Sequence, residues 1–386
     1  MTIKHFNVKK KSLAFRLNNL SERHSGKPDY FLLGLIGVIT FFGLMVLSSA
    51  SSVVSFRDYN NAYYFFWHQF WRGFVPGIIL FLIFAKINYR RWEKFSVAFF
   101  VSSLLLLLLV FVPGIGASYG RARSWINVAG FSFQPSEIVK LFLIFSLAGW
   151  FSYRGMERTK DFWNGLVPFA LILGIITLPV ALSDLGTAIV IVVIAIAVYF
   201  TAGAKISHLA GLGVIGIAAF AALIVQAPYR AQRLMTFLHP ELDPQNIGYH
   251  INQAFLAIGS GGLFGLGFGQ SRQKFAYLPE VMGDSIFAII SEELGFIFAT
   301  LLVLAFLLLA WRGFRLARQT NDEYGKFVAA GITSWFIFQA FFNIAAMVGL
   351  MPLTGIPLPF ISYGGTALAV VLAGAGVLVN ISRTSD

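Results

Sequence analysis

Long apolar runs separated by short polar stretches make up most of the chain, and their lengths predict helices that cross a lipid bilayer. Runs at about 30–50, 73–87, 95–113, 136–152, 163–181, 185–203, 207–226, 285–311, 327–350 and 366–382 approach the ~20 residues that one crossing needs. The pattern predicts an all-α polytopic membrane protein of about ten transmembrane helices. The fifth and sixth runs are parted only by Leu182-Ser183-Asp184, which leaves open a single broken hairpin in their place. The first run ends in Ser-Ser-Ala-Ser-Ser, as a cleaved signal would. It is longer than the roughly 7–15 apolar residues of a signal and follows a long basic segment, so it reads as an uncleaved first span.

Charge orients these spans. Only 12% of the 386 residues are charged and 57% are hydrophobic, against roughly 25% charged in soluble domains. Of the 29 Lys and Arg residues, 20 fall on one side of the predicted bundle and eight on the other, with Lys140 inside a span. By the positive-inside rule both ends of the chain are cytoplasmic. A basic tail, 1–29, then precedes a membrane domain over 30–383, and the long connection 227–284 between spans seven and eight lies outside the cell. The net charge of +12 sits beside apolar runs, as cytoplasmic loops require, and so does not argue for nucleic acid. Cysteine is absent, which excludes disulfides, thiolate nucleophiles and Cys-based metal sites.

Polar groups inside apolar runs are costly and mark candidate chemistry. Glu137 and Lys140 stand three residues apart on one helix face: either a self-neutralising pair or a lysine that faces a cavity and binds an anion. Asp184, before Leu185-Gly186-Thr187, reads as an N-cap or as a ligand for substrate or metal. Asp284 is also a plausible N-cap, but Ser291 and Glu292 extend a polar stripe below it, which suggests a cavity. Asn343 precedes a Gly/Pro-rich connection, 349–366, that reads as a rigid lid or re-entrant turn. The run Gly259–Gly269 lacks the preceding strand and the Lys-Ser/Thr ending of a nucleotide loop. Close backbone packing or contact with a lipid-linked diphosphate remains for it. Arg121 and Arg123, beside Trp125, either seat a loop at headgroups or bind an anionic substrate.

Five ordered motifs resemble the SEDS family of shape, elongation, division and sporulation proteins. They are the Trp125 region leading to Gln134-Pro135-Ser136-Glu137; Asp184-Leu185-Gly186-Thr187; Ala257-Ile258-Gly259-Ser260-Gly261-Gly262; Leu278-Pro279-Glu280 with Asp284; and the run from Gly355 to Gly365. Ser271-Arg272-Gln273-Lys274-Phe275 sides with the division branch rather than the elongation branch. The resemblance implies a peptidoglycan glycosyltransferase in the bacterial cytoplasmic membrane that polymerises lipid II, an undecaprenyl-diphosphate-linked disaccharide peptide, at the outer face. It implies a class B penicillin-binding protein and other divisome membrane proteins as partners, and Asp284 as general base. Lys140, Glu137, Arg121, Arg123, Asp184, Glu280, Lys274 and Ser362 form the candidate substrate-binding set. No cofactor is demanded; a divalent cation is the one candidate to share the charge of the leaving diphosphate, with no ligands assigned. The chain departs from the family pattern at Met282-Gly283, where His-Thr is common, at Ser183, where Pro is common, and at Thr366, where Ser is common. A lipid II flippase or transporter, a polymerase of the elongation branch and a scaffold without catalysis stand as the rival readings.

Overall fold

The structure, a computed structural model, describes residues 26–384 apart from 120, 121, 129, 226, 227 and 240–244. The basic tail up to residue 25 and Arg121 lie outside the described residues, as does the Arg123 side chain. Among the described residues, eight helices are long and apolar enough to cross a membrane: α1 (Tyr30–Ala50), α2 (Tyr64–Lys86), α4 (Pro135–Arg154), α5 (Phe162–Ser183), α7 (Ile206–Val225), α8 (Ile286–Gln319), α9 (Glu323–Met347) and α10 (Gly365–Ser382). Two shorter apolar helices, α3 (Ser96–Leu109) and α6 (Leu185–Thr201), occupy the remaining apolar runs. Helices α4, α9 and α10 are buried along most of their length and form the centre of the bundle, while α7 buries only His208.

Local chemistry accounts for several helix starts. The Asp29 carboxylate accepts from Leu32 N–H at 3.0 Å to cap α1, and Asp322 accepts from Gly325 N–H at 2.8 Å to cap α9. Asp184 is the single extended residue between α5 and α6, which are therefore two helices rather than one broken unit. Helix α2 begins well before its apolar run, because His68, Gln69 and Arg72 dilute the hydropathy of a first half that is nonetheless helical through a π-turn at Phe70–Phe74. Between α3 and α4 the all-α expectation needs one amendment. Strands β1 (Gly116–Tyr119), β2 (Ala122–Val128) and β3 (Phe131–Phe133) form a small antiparallel sheet in which Gly116 pairs with Ile126 and Ile126 with Phe133. On β2, Ser124 and Ile126 are buried while Asn127 and Val128 are exposed, so only a short run alternates.

The two ends of the bundle are chemically distinct. At the basic end, Asp29 pairs with Arg312 at 3.3 Å, and Asp322 pairs with Arg90 at 3.0 Å and accepts from the Tyr89 hydroxyl. The opposite end carries the sheet, the short helices Pro228–Leu238 and Ile247–Ser260, and the connections before α8 and α10.

Helix α8 holds 34 residues, roughly 51 Å at 1.5 Å per residue, more than a ~30 Å hydrocarbon core requires. It is broken at Gly295, whose φ of 79° and ψ of −179° suit glycine almost alone. The Gly259–Gly269 run fills the break. Leu266 and Gly267 N–H donate to the Glu292 and Glu293 carbonyls, each at 2.9 Å, and Phe296 N–H donates to the Gly262 carbonyl at 2.9 Å. Close backbone packing is thus what this run does: a Cβ on Gly295 would overlap the Gly265 nitrogen, and one on Gly265 would overlap the Glu293 carbonyl. Gly295→Ala is expected to lower stability by at least ~1–3 kcal/mol, read as a fall in the thermal unfolding midpoint of purified protein. Gly34→Ala, where an added Cβ meets nothing within 4 Å, is the control and leaves the midpoint unchanged or higher.

Candidate active site

The connection between α9 and α10 is non-helical and must find partners for its backbone. Two side chains one helical turn apart on α9 provide them. Gln339 donates to the Pro357 carbonyl at 2.9 Å. Asn343 donates to the Ile356 carbonyl and to the Asp284 carbonyl, each at 2.8 Å. From α2, Gln69 accepts from Gly364 N–H at 3.0 Å, and His68 Nδ1 meets the Tyr363 hydroxyl at 2.8 Å. The connection so held grips the segment before α8: the Ser362 hydroxyl donates to the Gly283 carbonyl at 2.7 Å, and Tyr363 N–H donates to the Met282 carbonyl at 2.8 Å. Three consecutive carbonyls, 282 to 284, are therefore anchored from outside.

Asp284 is left with its side chain free to act. Its Oδ1 is buried with no hydrogen-bond partner among the described residues. Loss of solvation pushes the carboxyl up to about 6, against smaller lowering effects from its own and Ser285's backbone, the Arg233 charge and the Ser285 hydroxyl. Beside it, Glu280 has φ of 49° and accepts from Gly283 N–H at 2.9 Å through its carbonyl, closing a tight turn. Desolvation first, and the neighbouring Asp284 second, push the Glu280 carboxyl upward as well. His250, from the helix Ile247–Ser260, places Nε2 at 2.6 Å from Ser285 Oγ. A base with an open oxygen and a raised pKa can take a proton from a hydroxyl at neutral pH.

The other expected residues divide. Glu280 lies at this centre. Ser362 does too, but its hydroxyl donates to Gly283 and accepts from Leu358 N–H at 2.8 Å, so it positions the loop instead of facing a ligand. Lys140 is buried, with Nζ at 2.7 Å from Glu137 Oε1 and 2.8 Å from Gln339 Oε1 and lying over the Trp335 ring. The pair stands in the self-neutralising arrangement, with Glu137 Oε2 left without a partner among the described residues. Lys274 is likewise engaged, donating to Gly269 O at 2.7 Å, Glu293 Oε1 at 2.9 Å and Ser49 Oγ at 3.1 Å. An ammonium has three N–H groups, so none remains for a substrate.

Asp184 caps α6, accepting from Thr187 N–H at 3.0 Å and from the Thr187 hydroxyl at 2.6 Å. It also lines a small cleft with Ser124, Ser136 and Ser183. The hydroxyls of Ser124 and Ser136 are buried there without partners among the described residues. Arg233, on the helix Pro228–Leu238, was not singled out in the sequence, yet among the described residues it is the cation whose field reaches Asp284. His250 was missed too, since neither lies in a motif. No three His, Asp or Glu side chains converge as a metal-binding group among the described residues. Asp284 and Glu280 offer carboxylates, but His250 turns Nε2 to Ser285, so no step below is routed through a metal.

Fold and site define a polytopic membrane protein that holds a buried carboxyl group with an unpartnered oxygen, among the described residues, at one end of its bundle. Residues 30–386 match the FtsW/RodA/SpoVE family of cell cycle proteins, and the chain belongs to that family. It is 42% identical over 359 residues to stage V sporulation protein E of Bacillus subtilis (strain 168), covering 93% of this chain and 98% of that one. It is 38% identical over 355 residues to the probable peptidoglycan glycosyltransferase FtsW of Geobacter sp. (strain M18), covering 92% and 96%. Among solved structures, a chain described under the structural coordination of polymerization and crosslinking by a peptidoglycan synthase complex superposes with a TM-score of 0.77 at 28% identity, covering 93% of this chain and 98% of that one. The rod shape determining protein RodA of Thermus thermophilus superposes with a TM-score of 0.67 at 27% identity, covering 92% and 97%.

Breaking a buried ion pair on one side costs ~3–5 kcal/mol, whereas removing both charges costs far less. Lys140→Met is therefore expected to lower the thermal unfolding midpoint sharply, and Glu137→Gln combined with Lys140→Met to recover most of it. A Lys140→Met protein as stable as wild type would return Lys140 to the role of a free anion-binding cation.

Proposed function

We propose that this chain is a peptidoglycan glycosyltransferase of the bacterial cytoplasmic membrane, with Asp284 as its general base. The observation that carries the reading is the Asp284 carboxylate: backbone-anchored, with Oδ1 bare among the described residues and a pKa of about 6. The excess of Lys and Arg at the opposite end of the bundle supports placing this site on the outer face. The membrane unit is taken as 30–383 after the basic tail 1–29, with 227–284 on the outside.

The substrates are donor and acceptor copies of lipid II. Asp284 takes the proton from the sugar 4-hydroxyl of the acceptor as that oxygen bonds to the anomeric carbon of the donor glycan. The bond from that carbon to the diphosphate breaks, and its electron pair leaves with undecaprenyl diphosphate. The departing anion needs a cation. Arg233 is exposed and acts on Asp284 from nearby, which makes it the strongest described candidate, with Arg121 and Arg123 as further ones. Lys140, held by Glu137 and Gln339, acts on the frame of the site. The small cleft at Asp184 is lined mostly by apolar side chains with Ser124, Ser136 and Ser183 among them, and its carboxylate would repel phosphate, so it suits an uncharged part of the substrate.

The relative described with polymerization and crosslinking in one complex supports a crosslinking partner for this chain, which we assign to the class B penicillin-binding proteins, within a division machine. The FtsW relatives and the Ser271–Phe275 segment support division over elongation; the likeness to a sporulation protein keeps a septum-building role in spore formation as the second reading.

In liposomes holding lipid II, wild-type protein is expected to produce glycan chains on gels, and Asp284→Asn to lose at least ~100-fold of the rate while keeping its thermal midpoint. Translocation of lipid II without polymer would indicate a flippase, and full activity of Asp284→Asn would remove the base from the mechanism. Because Asp284 must be deprotonated to act, the rate is expected to fall about tenfold per pH unit below ~6, where an unperturbed carboxylate would hold its rate to ~4.

A further inference from the structure

Ser285 joins the base to a histidine that the mechanism above does not use. Its side chain is fully buried, and its Oγ has one proton and two lone pairs to share. That oxygen lies 2.8 Å from the Pro279 carbonyl and 2.6 Å from His250 Nε2. Two oxygens 2.8 Å apart need a hydrogen between them and a carbonyl can only accept, so the Ser285 proton goes to Pro279. Nε2 must then carry hydrogen and donate.

We propose that His250 is a positioning residue for the Asp284 base, acting as a neutral Nε2–H donor that pins the Ser285 hydroxyl. The assignment rests on the role of Asp284 proposed above. The charged groups around the imidazole, among the described residues, are Glu280 and Asp284 from the turn before α8 and Arg233 from the helix Pro228–Leu238. Burial outweighs the attraction of Glu280 and brings the imidazole down to about 4, so the donor stays neutral throughout the working pH range.

This contact does what the carbonyl anchors cannot. Ser362, Tyr363 and Asn343 fix the backbone of residues 282–284 from the α9–α10 side. His250 fixes the residue after Asp284 from the opposite element, so the carboxylate is held on both flanks. The turn between the two flanks is tight: Gly283 and Ser285 N–H both donate to the Glu280 carbonyl, at 2.9 and 3.3 Å. Freed from the imidazole, Ser285 Oγ can leave the rotamer that faces Asp284, and a reacting group displaced by about 1 Å can lose ~100-fold in rate.

The test compares His250→Ala, His250→Gln and Ser285→Ala for lipid II polymerisation across substrate concentrations. Glutamine places an amide N–H where the imidazole Nε2–H was. His250→Ala is expected to lower kcat roughly 10- to 100-fold with KM changed less than about twofold, and His250→Gln to recover most of the loss. Ser285→Ala should reproduce the His250→Ala defect, and the double variant should be no worse than either single one, as expected of residues acting through one contact. Wild-type kcat in His250→Ala, a His250→Gln no better than His250→Ala, or a defect confined to KM would each overturn the proposal. If His250→Ala does not fold, Ser285→Ala decides: wild-type kcat in that variant overturns the proposal. Nitrogen-15 NMR of the labelled imidazole reads the tautomer without any turnover, and hydrogen on Nδ1 instead of Nε2 would sink the assignment. A wild-type protein that makes no polymer but carries the Nε2–H tautomer would defeat the glycosyltransferase reading and leave the contact standing.

Discussion

A non-helical backbone near hydrocarbon depth must have every N–H and C=O satisfied from within the protein, and that constraint shapes this molecule more than any other. The connection between α9 and α10 meets it with amide side chains. Gln339 and Asn343, spaced by one turn of α9, cap the carbonyls of Pro357 and Ile356, and Gln69 receives Gly364. Asn343 gives its second N–H to the Asp284 carbonyl, so the group that satisfies the lid also anchors the acid proposed as the base. The same economy appears at α8, where the glycine run supplies the hydrogen bonds that the break at Gly295 leaves open. Stability and the proposed catalysis therefore draw on the same atoms at this end of the bundle.

The charges follow from that frame. Lys140 and Lys274 are each neutralised inside the protein, by Glu137 at 2.7 Å and Glu293 at 2.9 Å. Each pair ties separate elements together: Lys140 bonds α9 through Gln339, and Lys274 bonds α1 through Ser49. Glu292 is held differently, by the Ser271 hydroxyl and by Arg272 N–H at 2.9 Å. With the buried lysines engaged elsewhere, Asp284 has no direct cationic partner among the described residues, and desolvation can raise its pKa. A contacting cation would have held the carboxyl low and made it a poor base.

Placement at the head of α8 also suits a reaction between two lipid-anchored molecules. Their sugar headgroups stand at the membrane surface while their prenyl chains remain in the bilayer, so a base at the edge of the hydrocarbon can reach both without extracting either. Two of the five motif segments meet at this centre, through Gly283, Asp284, Ile356 and Ser362.

Much of this was legible along the chain, because membrane insertion is decided by local hydropathy that adds up residue by residue. The ten apolar runs, the basic and opposite ends, the Gly/Pro-rich connection and the polar stripe below Asp284 all followed from neighbours in sequence, while the weight placed on Asp284 as a base came from the family resemblance. The first half of helix α2 and the small sheet escaped because their polar positions lower the same sum. What only the tertiary structure decided were pairings between distant segments: Lys140 with Gln339, Lys274 with Ser49, His250 with Ser285 and Arg233 near Asp284. A lysine in an apolar run reads the same whether it faces a substrate or a buried glutamate, since its hydration cost is identical until the partner is known. The sequence by itself determined which segments are apolar enough to cross a membrane and where costly acids sit; folding decided which of the costly groups pair with one another and which carboxylate oxygens are left without a partner among the described residues.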